Sequence, residues 1–177
     1  IGSSWTQLGA DLNGPASDAY FGASVSLSSD GTIVAIGAFN TTGTSSYSGK
    51  TSIYKYNGSS WSQLGADISG EAANDKSGYD VALSSDGTIV AIGARFNDGG
   101  GSNSGHTRIY EYNGSSWSQV GGDIDGEASN DESGFSVSLS SDGTIVAVGA
   151  HYNDGGGSNA GHVRIYEYDG SSWNQVG

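Results

Sequence analysis

The chain has no cysteine and no methionine, a single proline, and only six lysines and arginines. Without cysteine it can build neither a disulfide framework nor a thiolate metal site. No apolar run is long enough to span a membrane, and no signal segment is legible. Against the six basic residues stand 19 acidic ones, for a formal net charge of −13. Such a surface repels nucleic-acid phosphates and anionic lipid, so neither is expected as a partner. It suits cations, or salty water outside the cell. Strong helix formers are sparse, and no segment shows a helical period. Glycine is abundant instead, at 31 of 177 residues, and aromatics make up 10%. That aromatic content is ordinary for a folded protein and excludes a disordered linker.

The glycines fall into a pattern. "FNDGGGSNSGH" at residues 96–106 returns as "YNDGGGSNAGH" at 152–162. Trp5, Trp61, Trp117 and Trp173 are spaced 56 residues apart, as are Gly22, Gly78 and Gly134, and Asp30, Asp86 and Asp142. A period of that length indicates propeller blades or a related array. The second copy reads as four strands. "YDVALS" alternates apolar and polar residues. "TIVAIGA", from Thr88 to Ala94, is apolar on both faces and should be buried on both. "TRIYEY" spans Thr107 to Tyr112, and "SWSQV" spans Ser116 to Val120. Tight turns, "SSDG" and "NGSS", join the first pair and the last pair. The fold class expected is therefore all-β: three four-stranded antiparallel β-propeller blades of 56 residues, forming part of a larger ring or array. The divisions are a leading outer strand at 1–9 and blades at 10–65, 66–121 and 122–177. The short turns lie at one end of each blade, and the long acidic, glycine-rich loops lie at the other.

"YFGASVSLSSDGTIVAIGAF" (Tyr20 to Phe39), followed by a glycine loop and "GKTSIYKY", resembles the FG-GAP repeat of integrin-α-type propellers. Phe21-Gly22 and Gly37-Ala38 match its two signatures. The later copies carry Ser77-Gly78 and Ser133-Gly134 with an aromatic just after, and they keep Gly93-Ala94 and Gly149-Ala150. The resemblance implies an extracellular or cell-surface propeller. Members of that family often bind calcium in the first turn through alternating aspartates. Here the turn is only "SSDG", too poor in oxygens for a six- to eight-ligand site.

Calcium remains the one cofactor that the long loops suit, with Asp75, Asp98, Asp131 and Asp154 as candidate ligands among glycines. The alternative is that these residues cap turns. Trp61, Tyr110, Trp117 and Tyr166 are candidate glycan platforms, or else packing between blades. Asn40, Asn57 and Asn113 fit the N-glycosylation pattern, although Asn-Gly is also what a tight turn requires. His106 and His162 stand at blade spacing, too far apart to share a metal, and favour loop or strand-edge roles. No nucleophile, base and orienting group come together, so no enzyme is expected. Three blades do not close a ring. Residues 1–9 restate residues 169–177, and Ile1 stands in mid-phrase, so a preceding segment is expected. The expected partner is the chain itself, ring-closing or head to tail into a fibre. Glycans or cell-surface proteins are the alternative partners. The function expected is adhesion or structural self-assembly, with a lectin as the runner-up.

Overall fold

The computed structural model describes residues 4–177. Among them there is no helix, and strands form three antiparallel sheets. The first sheet runs β1 (Val25–Leu27), β2 (Ile33–Ala38), β3 (Lys50–Tyr56), β4 (Trp61–Gln63). A two-residue strand, β5 (Ile68–Ser69), continues along the β3 edge that β4 leaves unpaired. The second sheet repeats this plan with β6 (Asp80–Leu83), β7 (Ile89–Ala94), β8 (His106–Tyr112), β9 (Trp117–Gln119) and β10 (Ile124–Asp125). The third has β11 (Ser133–Leu139), β12 (Ile145–Ala150), β13 (His162–Tyr168) and β14 (Trp173–Gln175). The four expected strands of each module are all present. The short β5 and β10 lie in stretches read from the sequence as plain loops, because a pair of residues is too short for a period to register. Of the leading strand expected at 1–9, residues 1–3 lie outside the described residues. Trp5 to Leu8 have no strand pairing, since no third strand stands beside them to supply an edge.

Each sheet is apolar on both faces, so each face must be covered by a neighbour. Ile33, Ala35 and Ile53 of the first blade, with Ile68, pack on Val81, Leu83, Val90 and Ile92 of the second. On the opposite face of the second blade, Ala91, Ile109 and Ile124 pack on Val146, Val148 and Tyr166 of the third. The alternation of side chains along β7 thus splits one strand between two cores.

The inner strands are also tied laterally. The Ser24 hydroxyl donates to Asp80 at 2.7 Å, and the other Asp80 oxygen accepts the Val137 N–H at 2.7 Å. One carboxylate therefore bridges all three blades. The "SSDG" turns form a further ladder: Ser29 N–H donates to Ser85 O and Ser85 N–H to Ser141 O, both at 2.8 Å.

The repeated Gly-Ala signature has its cause in this packing. A Cβ on Gly37 would fall 2.1 Å from Gly78 O of the next blade, and one on Gly93 would fall 2.0 Å from Gly134 O. Backbone meets backbone here, and no side chain can yield to make room. Gly93→Ala should therefore destabilise the fold by about 1–3 kcal/mol or more. Gly122→Ala, in open space, should stay within about 0.5 kcal/mol of the parent. Urea unfolding of the two variants measures the difference, and equal midpoints would refute the backbone contact.

Candidate functional site

The antiparallel meander places the long loops of all three blades at one end. Their aspartates are engaged locally. Asp75 is buried and accepts hydrogen bonds from Asn97 Nδ2 (3.0 Å) and Ala72 N–H (2.9 Å). Asp131 repeats this with Asn153 (2.7 Å) and Ala128 (3.2 Å). Asp98 and Asp154 each accept one backbone N–H, from Asn103 and Asn159, at 2.8 and 2.7 Å. Of the sequons, Asn57 and Asn113 close their turns by accepting from the two serines that follow, at 2.9–3.0 Å. Asn40 donates to Asp18 O and accepts from Lys76.

A different trio converges. Glu71, His106 and Asp123 each present a ligand atom, all within 4.8 Å of one another. His106 opens β8, Glu71 follows β5, and Asp123 precedes β10, so the two short strands set both carboxylates beside one imidazole. That imidazole is 1% exposed, and neither ring nitrogen has a hydrogen-bond partner. Its Nδ1 stands 3.6 Å from Asp123 Oδ2, too long for a hydrogen bond. Burial first, and then the Arg108 guanidinium, push its pKa down to about 4 against the pull of Asp123 and Asp75, so the ring is neutral at pH 7. Arg108 pairs with Glu71 Oε1 at 3.0 Å, and Gln119 donates to Asp123 Oδ1 at 2.6 Å. On spacing alone His106 has a loop or strand-edge role. Its partners lie 35 and 17 residues away in other loops, and spacing alone does not bring them together.

The tryptophans repeat one contact. The Nε1–H groups of Trp61, Trp117 and Trp173 donate to Leu8, Leu64 and Val120 O at 2.8–2.9 Å, each across a blade boundary. The rings lie on Tyr56, Tyr112 and Tyr168, with centroids 5.1–5.2 Å apart. Tyr110 packs at the edge of the first interface and Tyr166 within the second. Another aromatic file, unforeseen from the sequence, crosses the long-loop end. Tyr20 stacks on Phe39, Phe39 meets Tyr79, and Tyr79 meets Phe135, with centroids 5.1–5.3 Å apart. Arg95 lies over Tyr79 and pairs with Glu132 of the next blade at 3.0 Å.

The two ends of the array have no neighbouring blade, although residues 10–13 lie over part of the first one. Ile165 is 44% exposed, whereas its counterparts Ile53 and Ile109 are fully buried. Val163, Ile145 and Val176 flank it on the same open face. At the other end Leu27 is 58% exposed, against 8% for Leu83 one period on, and Val25 is exposed beside it.

At the opposite end of each blade, the hairpin turn does not fit calcium, because it offers a single carboxylate and one oxygen of that carboxylate is taken up from within. Asp30 Oδ1 accepts from Ser28 Oγ (2.7 Å), Thr32 N–H (2.9 Å) and Thr32 Oγ1 (2.9 Å). Asp86 and Asp142 do the same. Backbone and hydroxyl hydrogen bonds hold the Asp30 and Asp86 carboxyls below the ordinary range, and the Ser140 and Thr144 donors hold Asp142 at about 2. A depressed folded pKa stabilises above the unfolded value, near 3.8, and that contribution is lost as pH falls through the folded value. The parent should therefore melt higher than an Asp30→Asn/Asp86→Asn/Asp142→Asn variant at pH 5–7. The difference should shrink from about pH 4 downward and vanish only below the pKa of Asp142. Thermal melts across that range check this, and a gap independent of pH would contradict it.

The FG-GAP repeat model matches residues 66–110 and 124–166. No curated protein matches the chain in sequence. Among solved structures it is similar to a candidate 6-phosphogluconolactonase from Bacteroides uniformis, with a TM-score of 0.59 and 13% identity over 99% of this chain and 46% of that one. It is also similar to the hydrazine synthase of Kuenenia stuttgartiensis, with a TM-score of 0.55 and 9% identity over 97% of this chain and 38% of that one. The chain thus spans less than half the length of either protein, and at such identity the likeness is one of fold. The glycine-on-glycine contacts, the four-stranded modules and the matches over the second and third of them lead to one conclusion: the chain belongs to the FG-GAP repeat family.

Proposed function

We propose that the chain is a non-enzymatic β-propeller repeat scaffold whose two end faces pack on further blades of the same kind, in its own polypeptide or in further copies of the chain, in an adhesion or structural role outside the cell. The supporting observation is the pair of ends without a neighbouring blade. The open face of the third blade repeats, position for position, the face that the first blade presents to the second: Ile165 for Ile53, Ile145 for Ile33, Val176 for Leu64. The open face of the first blade, with Val25 and Leu27, repeats the Val81 and Leu83 surface that receives it. The two ends are therefore the two halves of the interface already formed twice within the chain. Contacts of this heterologous kind propagate unless rotation closes them. The loop carboxylates recur from blade to blade, which suits repeated structure better than one asymmetric catalytic centre. The acidic surface suits salty extracellular water.

Docking has one steric condition. Residues 4–9 are the counterpart of residues 172–177, and Leu8 O already takes the Trp61 indole. When a second copy docks, Val176 O of the first competes for that indole, and one of the two segments must yield. Analytical ultracentrifugation should show concentration-dependent association of the 177-residue chain. Deleting residues 1–9 should strengthen it, and Leu27→Lys with Ile165→Lys should abolish it. A chain that stays monomeric with and without residues 1–9 would end this reading.

Glycan binding is the second reading, supported by a cavity of about 520 Å³ at the long-loop end of the first blade. Tyr20, Tyr47, Asn40 and Asp18 line it, and the Tyr20 ring is exposed at its rim. An aromatic face with amide and carboxylate groups beside it suits a sugar. On a glycan array, this reading requires binding that Tyr20→Ala removes. An array without signal would leave the scaffold as the surviving function.

A further inference from the structure

We propose that Glu71, His106 and Asp123 form a binding site for one divalent transition metal of the zinc class, stapling the loops that enter and leave the second blade to its third strand. Two independent observations carry it. The first is the convergence of one nitrogen and two carboxylate donors within 4.8 Å. The second is the imidazole itself, fully buried, aimed at Asp123 and without a hydrogen-bond partner at either nitrogen. A buried, unsatisfied polar group is costly, and natural folds rarely keep one without a reason.

The internal repeat supplies a comparison. One period earlier, Lys50 stands where His106 stands and Asp67 where Asp123 stands. There the ammonium meets Asp67 Oδ2 at 2.5 Å, and Gln63 donates to Asp67 Oδ1 at 2.7 Å. The first blade thus carries its own cation at this place. The second keeps the carboxylate and its glutamine, replaces the ammonium with an imidazole, and adds Glu71 where the first blade has Pro15. The cation moves two residues along the strand, to Arg108 where the first blade has Ser52, and is taken up by Glu71, while an imidazole with no cation of its own is left facing Asp123. The third blade has His162 only 3.8 Å from Glu127, but that histidine is a quarter exposed.

The geometry suits a small four-coordinate ion. Bonds of about 2.0–2.2 Å set tetrahedral ligand atoms roughly 3.3 Å apart, and the His106–Asp123 pair is already at 3.6 Å. Glu71 must close in by a side-chain rotation, which its exposed position allows. Arg108 holds one Glu71 oxygen and Gln119 one Asp123 oxygen, leaving one oxygen on each carboxylate for the ion. These are the outer contacts that orient metal ligands. Water completes the shell. A mixed imidazole and carboxylate set suits zinc and its neighbours, whereas calcium takes oxygen donors alone.

The test uses the whole chain, stripped with chelator and titrated with zinc chloride in a calorimeter. One zinc per chain is expected, with a raised melting temperature and no competition from calcium. Removing an outer-shell contact costs about 10–100-fold in metal affinity, so Asp123→Asn and Glu71→Gln should each weaken binding at least tenfold. Both residues are exposed, and circular dichroism in chelator should show the parent's fold for each, which separates ligand loss from misfolding. Glu71→Gln should melt lower there, because it leaves the buried Arg108 without its carboxylate. His106→Lys, which rebuilds the Lys50 arrangement, should abolish binding while the protein still folds in chelator. The site is overturned if zinc leaves both heat and melting unchanged. It is equally overturned if binding survives Asp123→Asn and Glu71→Gln undiminished.

Discussion

A four-stranded sheet with apolar residues on both faces cannot be stable alone, and this constraint organises the molecule. Every blade needs two neighbours, and the second blade has both. Ile53 and Ile109 are fully buried because another sheet lies against them, and Ile165 is open because none does. The close approach that hides these side chains also brings main chain against main chain at Gly37 and Gly93. The Gly-Ala signature is thus the mark of the hydrophobic contact at its tightest point. The indole bonds at the outer rim and the Asp80 bridge at the inner strands then fix the same contact from its two sides.

Much of this was legible in the sequence because it is periodic. Alternation along "VSL" and "DVAL", unbroken apolar runs such as "IVAIGA", and turn residues at constant offsets each report a local geometry, and local geometry repeats with the module. The tryptophans could be placed for the same reason. A bulky ring at one fixed position per blade has a fixed neighbour.

The candidate metal cluster was not legible, and its physics explains why. His106, Glu71 and Asp123 come from three segments whose meeting depends on β5 and β10, strands of two residues that leave no trace in hydrophobic pattern. The acidic loop residues that recur at constant offset, Asp75 and Asp131, are buried and bonded to Asn97 and Asn153. The useful signal was the departure from the repeat. Lysine at position 50 becomes histidine at 106, and proline at 15 becomes glutamate at 71. In a repeat protein, differences between copies point to chemistry more directly than the conserved frame does.

The tryptophan latch has an evolutionary consequence. Each indole reaches a carbonyl one blade back in the plan, always 53 residues upstream, so every joint is made from the same parts at the same offset. A genetic duplication or deletion of 56 codons, wherever in the module its breakpoints fall, adds or removes one joint and leaves the remaining joints intact. Copy number in such a gene can therefore drift by recombination without refolding what is already there, and selection is left to act on length.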